Sequence, residues 1–283
     1  MVTESKRRLD GFDDRELVVD GARLRYAVSG DGPAVVLVHG LGGTVENWRG
    51  LAPALARGHR VLVPDLPGHG LSEPLSGKVR DLDPYADAVL ALLDAEGIDG
   101  AAWVGHSLGG VIALRAAVRR PDAVRGIVLA GAAGIGSQSR LAGVTLTLDA
   151  IIRPGKAIAP HRGRWARSAL GRRITLWWGV ADTKALEPEL AEAFFVGPAR
   201  HTSTLQAVRA LLGTDPRDEL ERVTCPCLCL WGASDRWVKL DDGFEYARLL
   251  GAPVRTIAGC AHLLIGERPE VCLAAIEEFV SSL

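Results

Sequence analysis

The stretch Gly105-His106-Ser107-Leu108-Gly109-Gly110 constrains this chain more than any other. It follows an apolar run, residues 101–104, and opens a helix-like segment, residues 108–118. A serine held between glycines at a strand-to-helix turn fits the G-x-S-x-G nucleophile elbow. The flanking glycines let backbone pass where a side chain would block it. The turn lifts the serine hydroxyl above the sheet at a helix N-terminus, where the helix dipole favours developing negative charge.

The rest of the chain suits that turn. Runs 16–19 and 23–28 flank Asp20-Gly21, a hairpin signal. Ala34–Val38 is continuously apolar, as expected of a strand covered on both faces. Residues 47–56 read as a helix, 60–63 as a strand, 84–95 as an amphipathic helix and 124–129 as a strand. Further on, 227–231 is a strand, 243–250 a helix, Val254–Ile257 a strand and Pro269–Val280 a helix. This alternation predicts a mostly parallel sheet with helices on both faces, opened by an antiparallel hairpin. It stops between residues 134 and 215, where breakers at Pro154, Pro160, Gly171 and Gly179 interrupt helix-like sequence. That stretch is expected to be a helical cap inserted into a core made of residues 1–133 and 216–283.

A serine hydroxyl needs a base. Of seven histidines, His262 lies in a loop after the last strand, at the carboxyl end where open α/β sheets place their sites. The acid should leave an earlier strand end. Asp235 does so through Gly232-Ala233-Ser234, whereas the strand 124–129 runs into Ala-Gly-Ala-Ala-Gly with no acid. Asp65, in Asp-Leu-Pro-Gly-His-Gly, is expected to fix a turn by accepting backbone amides. Ser107, Asp235 and His262 are therefore the expected catalytic residues, in the chain order of the elbow enzymes. The Leu108 amide is the first expected oxyanion donor. The second comes from His39-Gly40-Leu41-Gly42-Gly43, with Leu41 preferred and Gly42 the alternative.

At this point the sequence resembles the α/β-hydrolase superfamily. The resemblance rests on His39-Gly40, Asp65-Leu66-Pro67-Gly68-His69-Gly70-Leu71-Ser72, the elbow, and Asp235 with His262. The run from His262 to Glu267, Arg268, Pro269 and Glu270 also looks like the last loop and helix of that family. The resemblance spans about residues 16–132 and 216–283 and implies an α/β-hydrolase fold; it leaves out the insertion. Haloalkane dehalogenases and epoxide hydrolases carry Asp where Ser107 stands. Ring-cleavage C–C hydrolases usually carry Asn at position 106 and Trp at 263; here those are His106 and Leu263. Cofactor-free perhydrolases commonly have Phe where Leu41 stands.

These readings imply hydrolysis of a small to medium carboxylic ester through an acyl-enzyme, with no metal or organic cofactor. The alternatives are C–C bond cleavage of a vinylogous diketone, perhydrolysis, or a non-catalytic small-ligand receptor. Within the insertion, the run from Arg153 to Arg173 carries Arg153, Lys156, Arg162, Arg164, Arg167, Arg172 and Arg173 with no acid. They read as a solvated helix face, or, in a sharper reading, as a recognition surface for an anion or a membrane. Trp177 and Trp178, with Leu263, are expected to line an apolar substrate pocket. Cys225, Cys227 and Cys229 alternate on one strand face and read as core residues rather than metal ligands. A formal net charge of −1 gives no global attraction to nucleic acid. No run reaches the roughly 20 apolar residues that span a bilayer. The expected partner is a small-molecule substrate and the expected location the cytoplasm; the oligomeric state is open.

Overall fold

Asp20 and Gly21 both adopt positive φ, 49° and 79°, the backbone twist of a two-residue hairpin loop. They join β1 (Asp13–Val19) to β2 (Ala22–Ser29), with Val19 opposite Ala22. The computed structural model describes residues 9–136, 161–196 and 204–283. The hairpin continues into β3 (Ala34–Val38), β4 (Arg60–Pro64), β5 (Ala101–His106), β6 (Val124–Ala130), β7 (Cys227–Gly232) and β8 (Val254–Ile257). They form one sheet in the order β1-β2-β4-β3-β5-β6-β7-β8. Only the β1–β2 and β2–β4 pairings are antiparallel. After β3 the chain turns outward to β4, then returns to place β5 on the other side of β3. The crevice at the carboxyl ends of β3 and β5 is thus a topological switch point.

Strand alternation sorts the apolar residues into two cores. Val36, Val38, Trp103, Ile127, Leu129, Cys229 and Trp231 face one side, under α2 (Asp83–Ala95), α3 (Leu108–Arg119) and the helix Leu240–Leu250. Val35, Leu37, Val61, Val104, Val128 and Leu230 face the other, under α1 (Ala52–Leu55) and the helix Pro269–Val280. Full burial of such side chains contributes about 1.5–3 kcal/mol each, which holds both layers to the sheet. Cys227 and Cys229 lie within the first core, as their alternation predicts. Among the described residues, no group of three His, Cys, Asp or Glu side chains is placed to hold a metal ion.

Between β6 and β7 the described residues include no strand; their α-helices are α4 (Arg162–Arg167), α5 (Ala169–Thr175), α6 (Pro188–Val196) and α7 (Thr204–Leu212), followed by the 3-10 turns Pro216–Asp218 and Leu220–Arg222. Arg153, Lys156, Pro154 and Pro160 lie outside the described residues. The remaining helices are α8 (Leu240–Leu250), α9 (Leu264–Glu267) and α10 (Pro269–Val280).

Two expected helices differ. The run 47–56 is a 3-10 turn, Val45–Trp48, followed by the separate α1, in whose first turn Pro53 sits. Proline suits a helix start but lacks the amide that a continuous helix needs at that point. The helix expected to begin at Gly243 begins at Leu240, with Asp241 and Asp242 favouring its N-terminal dipole. Gly243 lies inside it because a Cβ there would stand 2.7 Å from the Trp231 indole.

Candidate active site

Ser107 follows β5 directly, at φ 53° and ψ −116°, a strained conformation for a residue with a side chain. Its neighbours explain why the turn needs glycine. A Cβ on Gly105 would stand 2.3 Å from the Gly109 carbonyl oxygen, and one on Gly109 would stand 2.1 Å from that of Val38. The second contact lets the start of α3 lie directly against the end of β3. Three strand ends then converge, those of β5, β7 and β8.

His262 and Asp235 meet Ser107 there. The His262 ring donates from Nδ1 to Asp235 Oδ2 at 2.8 Å, and Nε2 stands 3.1 Å from Ser107 Oγ. With its proton on Nδ1, the ring turns its basic nitrogen to the serine hydroxyl. All three residues are buried. Asp235 Oδ1 accepts from the Trp237 and Val238 amides at 2.8 and 2.9 Å, so the carboxylate is fixed by the turn that follows it. Asp65 has a different task. Its oxygens accept from the Val45 and Leu71 amides, each at 2.9 Å, and from Arg25, which ties down the loop after β4.

The strand end without an acid also lies at the site. Gly131, just past β6, has φ 56°, and a Cβ there would stand 3.5 Å from His262 Nδ1 and 3.6 Å from Asp235 Oδ2. A second acid position therefore faces the same histidine and holds only a glycine.

The loop after β3 lies against Ser107, since a Cβ on Gly40 would stand 3.0 Å from Ser107 Cβ. Leu41 follows directly. Among the described residues its amide makes no hydrogen bond within the protein. The Leu108 amide is the first of α3, one of the helix donors left without an intrahelical acceptor. His39 fixes this loop: Nδ1 donates to the Gly40 carbonyl at 2.8 Å and Nε2 accepts from the Leu66 amide at 3.0 Å. Complete burial lowers its pKa to about 4, so it is a neutral structural histidine.

Two contributors, His106 and Glu267, carried no assigned role in the sequence reading. His106 donates from Nε2 to the His262 carbonyl at 2.9 Å, and burial, with His262 beside it, lowers its pKa to about 3. Glu267 is buried and accepts three backbone amides: Ala181 and Asp182 at Oε1, 2.8 and 2.9 Å, and Ala261 at Oε2, 2.8 Å. One carboxylate thus ties the segment after α5 to the residue preceding His262. Leu263 donates its amide to the Gly179 carbonyl at 2.7 Å across the same junction. The sequence offered Glu267 only as part of the 262–270 stretch, because two of its three partners are backbone groups some 85 residues away.

Of the expected pocket residues, Leu263 parts from the two tryptophans. Trp178 is half-buried, with its ring centre 6.3 Å from that of His262 and 5.3 Å from that of Trp237. Leu263 is buried among Leu176, Val180, Leu190 and Ala166. Trp177 is 60% exposed, so as a wall it borders solvent. Cys260 is buried, and burial pushes its thiol well above the ordinary range, which keeps it protonated and unreactive. Among the described residues no helix is long and apolar enough to cross a membrane.

Comparison with known proteins agrees with this architecture. A family model described as alpha/beta hydrolase fold matches residues 33–269. The 2-hydroxymuconate semialdehyde hydrolase of a Pseudomonas species is 40% identical over 124 residues, 43% of this chain and 44% of that one, so the match spans less than half of that relative. The 2-hydroxy-6-oxo-6-phenylhexa-2,4-dienoate hydrolase of Burkholderia cepacia is 27% identical over 255 residues, 85% of each chain. Among solved structures, the enol-lactonase of Burkholderia xenovorans superposes with a TM-score of 0.78 at 25% identity, covering 94% of this chain and all of that one. With the elbow, the sheet order and a family match over most of its length, this chain belongs to the α/β-hydrolase superfamily.

Proposed function

We propose that the chain is a serine hydrolase in which Ser107 is the nucleophile, His262 the general base and Asp235 the group that orients it. The relay from Asp235 Oδ2 through His262 to Ser107 Oγ, at 2.8 and 3.1 Å, is the observation that carries this reading. Ser107 attacks a carbonyl carbon while His262 Nε2 takes its proton. The Leu41 and Leu108 amides hold the oxyanion. The leaving group departs with the proton from His262, and water activated by the same nitrogen releases the acid from Ser107. No step requires a cofactor. The helices between β6 and β7 act as a cap that shapes a small-molecule pocket, supported by Trp178 beside His262 and by the Glu267 bonds.

For the bond cleaved, the sequence relatives favour carbon–carbon hydrolysis of a vinylogous diketone, because two of them are named for dienoate or semialdehyde substrates. The departing carbon is then protonated by His262 as the acyl-enzyme forms. Ester or lactone hydrolysis is the second reading. His106 and Leu263 favour it, standing where ring-cleavage hydrolases usually carry Asn and Trp. Parallel assays decide. A ring-cleavage diketone should be turned over with a kcat/KM at least ~100-fold above that of any ester in an acyl-length series. An ester or lactone that exceeds the diketone reverses the assignment.

A further inference from the structure

Arg173, Trp177, Trp178, Thr183, Ser234 and Arg236 surround a cavity of about 310 Å³ that Ala261 also borders. Its floor is the outer side of the catalytic loops: Ser234 and Arg236 flank Asp235, and Ala261 precedes His262. Ser107 does not line it, so the cavity lies beside the reacting serine rather than around it.

The arginines near this cavity divide by partner. Arg167 is paired with Glu192 at 3.0 Å. Arg172 is buried and gives its guanidinium to the carbonyls of Ala166, Arg167 and Thr183. Arg173 and Arg236 have no ion pair among the described residues, and no carboxylate lines the cavity they share. Both arginines are exposed at this cavity, so a bound anion can offer each guanidinium fork a hydrogen-bonding partner there. The indoles of Trp177 and Trp178 supply an apolar wall at the same place. The tryptophans and one arginine of the basic run therefore serve one cavity; the sequence alone sets them against each other as rival recognition modes.

We propose that this cavity binds a small carboxylate with an aromatic or aliphatic body. Its carboxylate lies between Arg173 and Arg236, and its apolar part lies on Trp177 and Trp178. The volume is near the lower limit of ligand sites, about 300 Å³, which excludes long acyl chains. The carboxylate belongs either to one arm of the substrate or to a free acid such as the product; the site itself does not depend on the role proposed for Ser107.

Binding is measured by calorimetry on the unmodified protein and on protein phosphonylated at its reactive serine, with 3-phenylpropanoate and its neutral amide as probes. Both protein forms should bind the acid at least ~10-fold more tightly than the amide. Arg173→Gln and Arg236→Gln should each weaken acid binding by ~10-fold without affecting the amide, and Lys at either position should restore part of the loss. The preference should shrink as salt rises past about 0.5 M, where the Debye length falls towards ~3 Å. Equal affinity for acid and amide, or acid binding unchanged in both Gln variants, overturns the proposal. Kinetics separate the two sources: a raised KM confined to carboxylate-bearing substrates assigns the site to a substrate arm. Loss of non-competitive inhibition by the free acid assigns it to a separate ligand.

Discussion

Moving the acid tests the geometry of the relay more sharply than removing it. In Asp235→Asn the carboxamide keeps an oxygen for the Trp237 and Val238 amides, whose nitrogens stand 2.8 and 2.9 Å from Oδ1. Its NH2 then faces His262 Nδ1, the ring proton moves to Nε2, and the nitrogen 3.1 Å from Ser107 Oγ is no longer a base. The same change in a well-studied serine protease lowers kcat by about 10⁴, or about 5 kcal/mol of barrier. Gly131 offers a second seat. Its virtual Cβ is 3.5 Å from His262 Nδ1, and its nearest other neighbour is a Leu264 methyl at 3.4 Å. Its φ of 56° is one that Asp tolerates better than most residues, at a stability cost of about 1–2 kcal/mol. A carboxylate there gives Nδ1–H an acceptor again, and a charge-assisted hydrogen bond contributes about 1.5–3 kcal/mol. Gly131→Asp in the Asp235→Asn background should therefore recover about 10–100-fold in kcat. The assay is kcat on a chromogenic ester, with thermal melting to confirm that each variant folds. Asp235→Asn retaining kcat within about ten-fold of the parent would refute the role given to Asp235. A folded double variant no faster than Asp235→Asn would refute the placement of Gly131.

Three further outcomes are expected. His39 and His106 are held neutral, with pKa lowered by burial from 6.5 to about 4 and about 3, so the unfolded chain takes up protons first. Their stabilisation is complete above about pH 6.5 and is lost as pH falls; the unfolding free energy from denaturant titrations between about pH 6.5 and 5 should drop by at least ~1 kcal/mol per pH unit, and a flat profile contradicts their burial. Glu267→Gln turns a donor toward backbone amides and leaves at least one unsatisfied, at about 1–3 kcal/mol; a lower melting temperature and a reduced kcat/KM should appear together, and unchanged kinetics would separate this clamp from the His262 loop. Trp178→Ala should raise KM by about ten-fold, consistent with loss of an apolar contact beside His262, whereas exposed Trp177→Ala should cost less; the reverse order would place the substrate on the outer face.

The sheet was legible because each strand carries its own signal. Val35 to Val38 and Ile127 to Val128 are apolar on both faces, and the structure sends alternate residues to opposite cores. The meeting of Ser107, His262 and Asp235 was legible for a related reason. Strand ends are easy to find, and the acid follows from which strand end has one: Asp235 does, Gly131 does not. What escaped were groups whose partners are backbone atoms distant in sequence. Glu267 meets the amides of Ala181 and Asp182, and His106 meets the carbonyl of His262, and neither bond leaves a periodic trace. Helix starts slipped where packing outweighed propensity, as at Gly243 under Trp231. Within the insertion, short helices broken by glycine and proline gave no stripe long enough to tell the solvated arginines from those lining a cavity.

The central claim is that Ser107 is the nucleophile. Peptide mass spectrometry after treatment with a fluorophosphonate tests it most directly. The adduct should appear on the peptide containing Ser107, form much more slowly in His262→Ala, and be absent from Ser107→Ala, which should also lose turnover. An adduct on any other residue, or turnover that survives in Ser107→Ala, would contradict the account.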